Sequence, residues 1–213
     1  MRRNAFTLIE LIFVIIIIGI LAMMALPRMS RDIRQEAADN ILSAIRFTKQ
    51  MALIDDKTST YGHWQKKLWA IRFTDAADYQ NTFYTIATDD NNNTVISKNE
   101  AAIDPTNGKY LYNSSGSFAS RASDESPNIF IGHKYGINRI TFGGGCASDQ
   151  KHIAFDQLGR PFNGIGNAKN NYAKYIHSDC TITFGFADSS VEDLNIVIEK
   201  QTGHAYIVGQ PNS

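Results

Sequence analysis

The chain has 213 residues, 43% of them hydrophobic, enough for one sizeable soluble domain with an appendage and too few for two full domains. Its 21 lysines and arginines balance its 21 aspartates and glutamates, so no overall field draws it to nucleic acid or to an anionic membrane. The apolar residues are unevenly spread, however. From Phe6 to Leu26 the sequence reads FTLIELIFVIIIIGILAMMAL, 21 residues with one charge, the length of a helix that crosses the hydrocarbon layer. Leu11 to Ile18 shows no polar stripe, which argues against a core helix of a soluble domain. Arg2 and Arg3 precede the run as in a secretory signal. Yet the run exceeds the usual length, and the alanines of Ala22-Met23-Met24-Ala25 are wrongly spaced for an A-x-A cleavage site. Arg28, Arg31 and Arg34 outnumber Arg2 and Arg3, so charge counting leaves the orientation open. Glu10 is the one ionisable side chain inside the run. Such groups are expensive in lipid and usually functional, the alternative being a side chain that snorkels to the head groups.

Pro27 supplies no backbone hydrogen and is expected to kink the helix without ending it. Beyond it, Ile33, Ala37, Ile41, Ala44 or Ile45, Thr48 and Ala52 recur at three- and four-residue steps, with Arg34, Glu36, Asp39, Arg46 and Lys49 mostly between them. This is an amphipathic helix. Taken from Phe6 to about Ile54, the whole element is about 70–75 Å long. After Asp55-Asp56 the pattern changes to short runs rich in β-branched and aromatic residues: Lys67 to Phe73, Thr82 to Thr88, Thr94 to Ser97, Asn128 to Gly132, Arg139 to Phe142, His152 to Asp156, Thr181 to Ala187, Asp193 to Glu199 and Ala205 to Val208. The last two flank Lys200-Gln201-Thr202-Gly203, a hairpin connection. The expected fold is α+β: a long N-terminal helix packed on an antiparallel sheet. Long polar stretches separate the strands at Asp89 to Asn93, Ser114 to Ser126 and Gly143 to Lys151, and loops of this kind are either mobile or recognise something.

The two cysteines, Cys146 and Cys180, fall in loop or strand-edge positions beyond the apolar run. They read as a disulfide in an oxidising compartment, the alternative being two buried thiols. Closing a loop of about 35 residues contributes just under ~4 kcal/mol in the chain-entropy model. The five histidines, at 63, 133, 152, 177 and 204, lack the close helical spacings of zinc sites. Asp89-Asp90-Asn91-Asn92-Asn93 offers oxygens that calcium uses but not the EF-hand spacing, and a solvated turn is the expectation. Asp188-Ser189-Ser190 and Glu192-Asp193 receive the same reading. Gly143-Gly144-Gly145 lacks the lysine and the following helix of a phosphate loop, and no nucleophile elbow or dinucleotide fingerprint is present. No catalytic residue, metal or cofactor is expected.

Ala5-Phe6-Thr7-Leu8-Ile9-Glu10, followed by an unbroken apolar helix, resembles the class III leader of type IV pilins and type II secretion pseudopilins. The resemblance implies four parts: a leader at 1–5, a transmembrane helix at 6–26, an amphipathic extension at 27–54 bent near Pro27, and a periplasmic β-rich head at 55–213. It implies that a membrane prepilin peptidase cuts between Ala5 and Phe6 and methylates the new amine of Phe6. Glu10 would then meet that amine on a neighbouring subunit as the filament grows. The implied partners are other pilin or pseudopilin subunits, the peptidase and an inner-membrane assembly platform. One departure stands in the motif: Ala5 replaces the usual glycine, the smallest replacement available. A shorter match, Phe155-Asp156-Gln157-Leu158-Gly159-Arg160 with the later turn at Thr202-Gly203, is similar to the H-type minor pseudopilins and FimT-like minor pilins. Gly203-His204 stands where that group often has Gly-Arg. The expected role is a minor pseudopilin of a type II secretion pseudopilus, in the bacterial inner membrane with its head in the periplasm. The alternatives are a minor type IV pilin, in pilus assembly or DNA uptake, and a periplasmic enzyme or binding protein with an ordinary signal peptide. DNA uptake needs basic side chains at an exposed end, and Gly209-Gln210-Pro211-Asn212-Ser213 has none.

Overall fold

A computed structural model of the chain describes the backbone at residues 8–59, 62–147, 150–167 and 172–210, and the side chains of those residues except 23–32 and 167. Helix α1, Leu8–Ile54, is one continuous element of 47 residues, about 70 Å long at the helical rise. Its second half buries the stripe that its periodicity marks: Ala37, Ala38, Ile41, Leu42, Ala44, Ile45, Thr48 and Ala52. The many alanines let backbone approach backbone there. The Thr48 hydroxyl, the polar group on this face, donates back to the Ala44 carbonyl at 2.8 Å.

Among the described residues eight strands follow: β1 Trp69–Thr74, β2 Phe83–Ala87, β3 Ile137–Gly144, β4 His152–Phe155, β5 Pro161–Phe162, β6 Cys180–Phe186, β7 Leu194–Ile198 and β8 Ala205–Ile207, with a short helix α2, Ile131–Tyr135, before β3. They form two four-stranded sheets, β2-β1-β4-β5 and β3-β6-β7-β8. All pairings within the two sheets are antiparallel. Helix α1 lies against β1 and β4 of the first sheet and β7 and β8 of the second, an α+β, pilin-like arrangement. Edge-on aromatic contacts join the sheets over the core: Phe73 meets Phe142 at 6.1 Å and Phe184 at 5.4 Å between ring centres.

Two sheets, not one, result because the first is buried on both faces. Ile71, Phe73, Ile153 and Phe155 face α1, while Ala70 and Ala154 on the reverse side join Trp64, Leu68, Phe162 and Ile165 in a second small core. The chain leaves the second sheet after β3, supplies β4 and β5 to the first, and returns as β6. Cys146 and Cys180 stand at the two ends of this excursion and are joined by a disulfide.

Two expected strands do not form. Thr94 to Ser97 is held as a turn, because the buried Asp89 carboxylate accepts from the Asn93 and Thr94 amides at 3.1 and 3.0 Å. Directly after it, Glu100 accepts from the Ser97 amide in a capping box. Asn128 to Gly132, despite its Ile-Phe-Ile run, turns helical: Ser126 caps the Asn128 amide with Pro127 in the first turn, and α2 follows. Strand β5, too short to show a pattern, falls outside the predicted set. The predicted hairpin joins β7 to β8, and its Gly203 takes a positive φ of 59°. A Cβ there would lie 2.2 Å from the Gly159 carbonyl oxygen, so the turn of the Phe155–Arg160 segment and the Thr202-Gly203 turn rest on each other and link the two sheets.

Candidate assembly surface

The first half of α1 has no cover within the chain. Every described side chain from Leu8 to Ala22 is exposed, among them Leu8 at 77% and Leu21 at 61%. Apolar side chains this dense do not face water in a stable soluble state; lipid or other helices must take them up. Glu10 sits in the first turn of α1 with its side chain also exposed. Ala5 and Phe6, with the leader 1–5, lie outside the described residues. The proposed span 6–26 extends past both ends of the described stretch, and the side chain of Pro27 is likewise outside it, although the helical backbone runs on through that position. Leu8 to Ala22 measures only about 22 Å along the axis, less than a hydrocarbon core. Among the described residues no helix is long and apolar enough to cross a membrane.

Charged side chains fasten the second half of α1 to the second sheet. Arg34 donates to the Glu192 and Asp193 carbonyls at 3.2 and 3.3 Å, and Arg46 donates to the Ala205 carbonyl at 2.9 Å. Asp193 also pairs with Arg139 at 2.7 Å. Near the N-terminal end of this half, Glu36 pairs with Lys134 of α2 at 3.1 Å. These contacts fasten the second half of α1 to the second sheet and to α2.

Buried carboxylates pin several of the polar loops from inside, among them the Ser114 to Ser126 stretch. Asp104 accepts from Thr106, Asn107, Ser126 and Asn128. Burial alone raises its carboxyl, but the hydrogen bonds from Ser126, Thr106 and Asn128 outweigh it and hold the group below the usual range. Glu125 holds the Ser114 and Ala122 amides and the Asn113 side chain, with Lys98 at 3.2 Å. Burial raises this carboxyl too, and Ser114, Lys98 and Ala122 bring it below the ordinary value. Asp156 accepts from Leu158 and Arg160 amides and from the Arg160 guanidinium, which shapes the turn before β5. These acids spend their lone pairs on the protein. Among the described residues no group of three histidines, cysteines or acids is placed to hold a metal ion.

His152 is also a structural group. Its Nε2 accepts from the Gly164 and Ile165 amides at 3.1 and 3.2 Å under the second small core. Burial, and then the neighbouring Arg72 charge, lowers its pKa from 6.5 to about 3. Below pH 6.5 the unfolded chain takes up a proton here and the folded one does not, so stability is lost as pH falls from about 6.5 toward 3. At pH 5 the loss relative to pH 7 is expected to be about 2 kcal/mol. The lowered carboxyls of Asp104 and Glu125 contribute above about pH 4 and lose their contribution only below it. Chemical denaturation at pH 7 and pH 5 reads mainly the histidine, because the carboxyls keep most of their contribution at pH 5. His152→Gln, whose amide oxygen accepts the same two N–H groups, should remove most of the difference.

Residues 1–26 match the family model of the prokaryotic N-terminal methylation motif. No curated protein and no solved structure matches the chain.

Proposed function

Proceeding from the methylation motif at residues 1–26, which supports a type IV pilin-like protein, we propose that the chain is a minor pseudopilin of a type II secretion pseudopilus. The prepilin peptidase removes residues 1–5 and methylates Phe6. The span 6–26 holds the subunit in the inner membrane, with residues 55–213 as a periplasmic head. The assembly platform then draws the subunit into a filament with other pseudopilins. Its work is mechanical. The observation that carries this reading is the leader match continuing into a helix whose described first half no part of the chain covers. Exposing one large aliphatic side chain to water costs about 1.5–3 kcal/mol, so a stem that leaves the lipid needs other apolar stems to cover it. The Cys146–Cys180 disulfide agrees with an oxidising compartment for the head.

N-terminal sequencing and intact mass of the membrane-extracted protein test the proposal. The expected mature chain starts at a methylated Phe6 and keeps its apolar stem; a chain starting after Ala25 would overturn it. Deleting the gene then separates secretion from pilus assembly: cargo retained in the periplasm supports the first, and loss of surface pili with secretion intact replaces it with the second.

A further inference from the structure

Two stretches of the chain carry the Asn-x-Ser/Thr pattern of an N-linked glycan acceptor, Asn92-Asn93-Thr94 and Asn113-Ser114-Ser115. A pattern of three residues recurs by chance, so what the fold does with each copy decides its use. Asn113 is closed: it is 7% exposed, and its Nδ2, the atom that would carry the sugar, donates to Glu125 at 3.1 Å and to Ser115 at 3.4 Å. Asn92 is open. It stands in the turn after β2, between the exposed Asn91 and the exposed Asn93, Thr94 and Val95. No described residue hydrogen-bonds its side chain. Its Oδ1 is enclosed and its Nδ2 is not, so the amide is turned with its nitrogen toward solvent.

The turn holds this presentation from inside. The Asp89 carboxylate accepts from the Asn93 and Thr94 amides at 3.1 and 3.0 Å, and the Asp89 carbonyl accepts from the Asn92 amide at 3.2 Å. These bonds to one buried residue fold the chain back around Asn92, at a φ of 58°, and hold Thr94 at 71°. The left-handed region is ordinary for asparagine and an outlier for a β-branched residue, so the fold keeps threonine where its backbone would be easier with glycine or asparagine. Strain of that kind clusters at functional sites. Asp90, two residues before Asn92, adds a half-exposed carboxylate: Lys57 holds its Oδ1 at 2.9 Å, and an arginine of an enzyme can pair with its other oxygen. We propose that Asn92 is the acceptor of an N-linked glycan, transferred in the periplasm by an oligosaccharyltransferase from an oligosaccharide carried on a polyprenyl pyrophosphate. Nδ2 attacks the anomeric carbon of the first sugar. The N–C bond forms as the C–O bond to the pyrophosphate breaks, the lipid pyrophosphate leaves with the electron pair of that bond, and Nδ2 gives up one proton. The Thr94 hydroxyl and the Asp90 carboxylate are the flanking groups by which the transferase reads the site. This rests on the periplasmic head proposed above.

The test uses the full chain isolated from the membranes of the cells that make it. Trypsin is expected to release residues 73–98 heavier than the bare peptide by a whole number of sugar residues, with fragmentation placing the sugar on Asn92. Residues 110–121, which hold Asn113, should appear at the bare mass. Asn92→Gln and Thr94→Ala should each remove the added mass, and Thr94→Ser, which keeps the hydroxyl, should retain it. An unchanged melting temperature in Thr94→Ala shows that its loss of sugar is not misfolding. Bare Asn92 in a chain whose Cys146–Cys180 bond has formed overturns the acceptor, as does sugar on another residue of the peptide or sugar that survives Thr94→Ala. Both cysteines free in the isolated chain would mean a head in a reducing compartment, which overturns the periplasmic reading and the acceptor with it.

Discussion

Replacing Glu10 by alanine is expected to leave membrane insertion and cleavage before Phe6 intact while reducing co-purification with the other filament subunits at least tenfold. In a mature chain beginning at Phe6, Glu10 stands four residues from the amine, about 6 Å along the axis. In the proposed membrane span it would therefore sit shallow, at less than the roughly 2.5–3.5 kcal/mol that a charged residue costs at mid-bilayer. Entering an apolar bundle of stems would remove what access it has to head groups and water, and only an opposite charge could then offset the burial. In the proposed filament the methylated amine of a neighbouring Phe6 would be such a charge. Alanine loses the attraction but inserts more easily, so a failure of the variant lies in assembly and not in targeting. Glu10→Gln keeps the shape and some hydrogen bonding without the charge, and should fail nearly as badly. Co-purification of Glu10→Ala at the parent level, with the stem retained, would refute the pairing.

The Cys146→Ser, Cys180→Ser double variant should lose about 3.8 kcal/mol of stability, the loop-closure estimate for a 34-residue separation. That is a large part of the ~5–15 kcal/mol available to a typical domain. Its effect should be uneven. The bond closes the neck of the excursion that carries β4 and β5, so β4, which pairs with β1 at Trp69, Ala70, Ile71 and Arg72, depends on it to stay in register. Hydrogen exchange should accelerate in β4, in β5 and at Gly164 and Ile165, and little in β6 to β8. Equal melting of the double variant and the parent, or loss of protection spread evenly over both sheets, would remove the staple from this account. Adding reductant to the parent should reproduce the variant slowly, because both cysteines are buried, at 1% and 0% exposure.

Asp104 had no sequence signal: it lies in no motif, yet it gathers donors from four later positions in the chain, Thr106, Asn107, Ser126 and Asn128. The Phe155–Arg160 and Thr202-Gly203 turns were legible singly. Their contact through Gly159 and Gly203 was not.

The sequence by itself determined what depends on local chemistry: the leader and its apolar continuation, the amphipathic stripe from Ala37 to Ala52, and the alternating strands that pack under it. Each of these is written in neighbouring residues, through helical or two-residue periodicity. Tertiary structure alone decided the division into two sheets and the conversion of Thr94 to Ser97 and Asn128 to Gly132 from strand candidates into turn and helix. It also decided which carboxylates pin which loops. β-propensity separates the best from the worst residue by only about 1 kcal/mol at a position and depends on context, and buried hydrogen bonds to Asp89, Glu100 or Ser126 from groups already positioned by the fold are enough to override it.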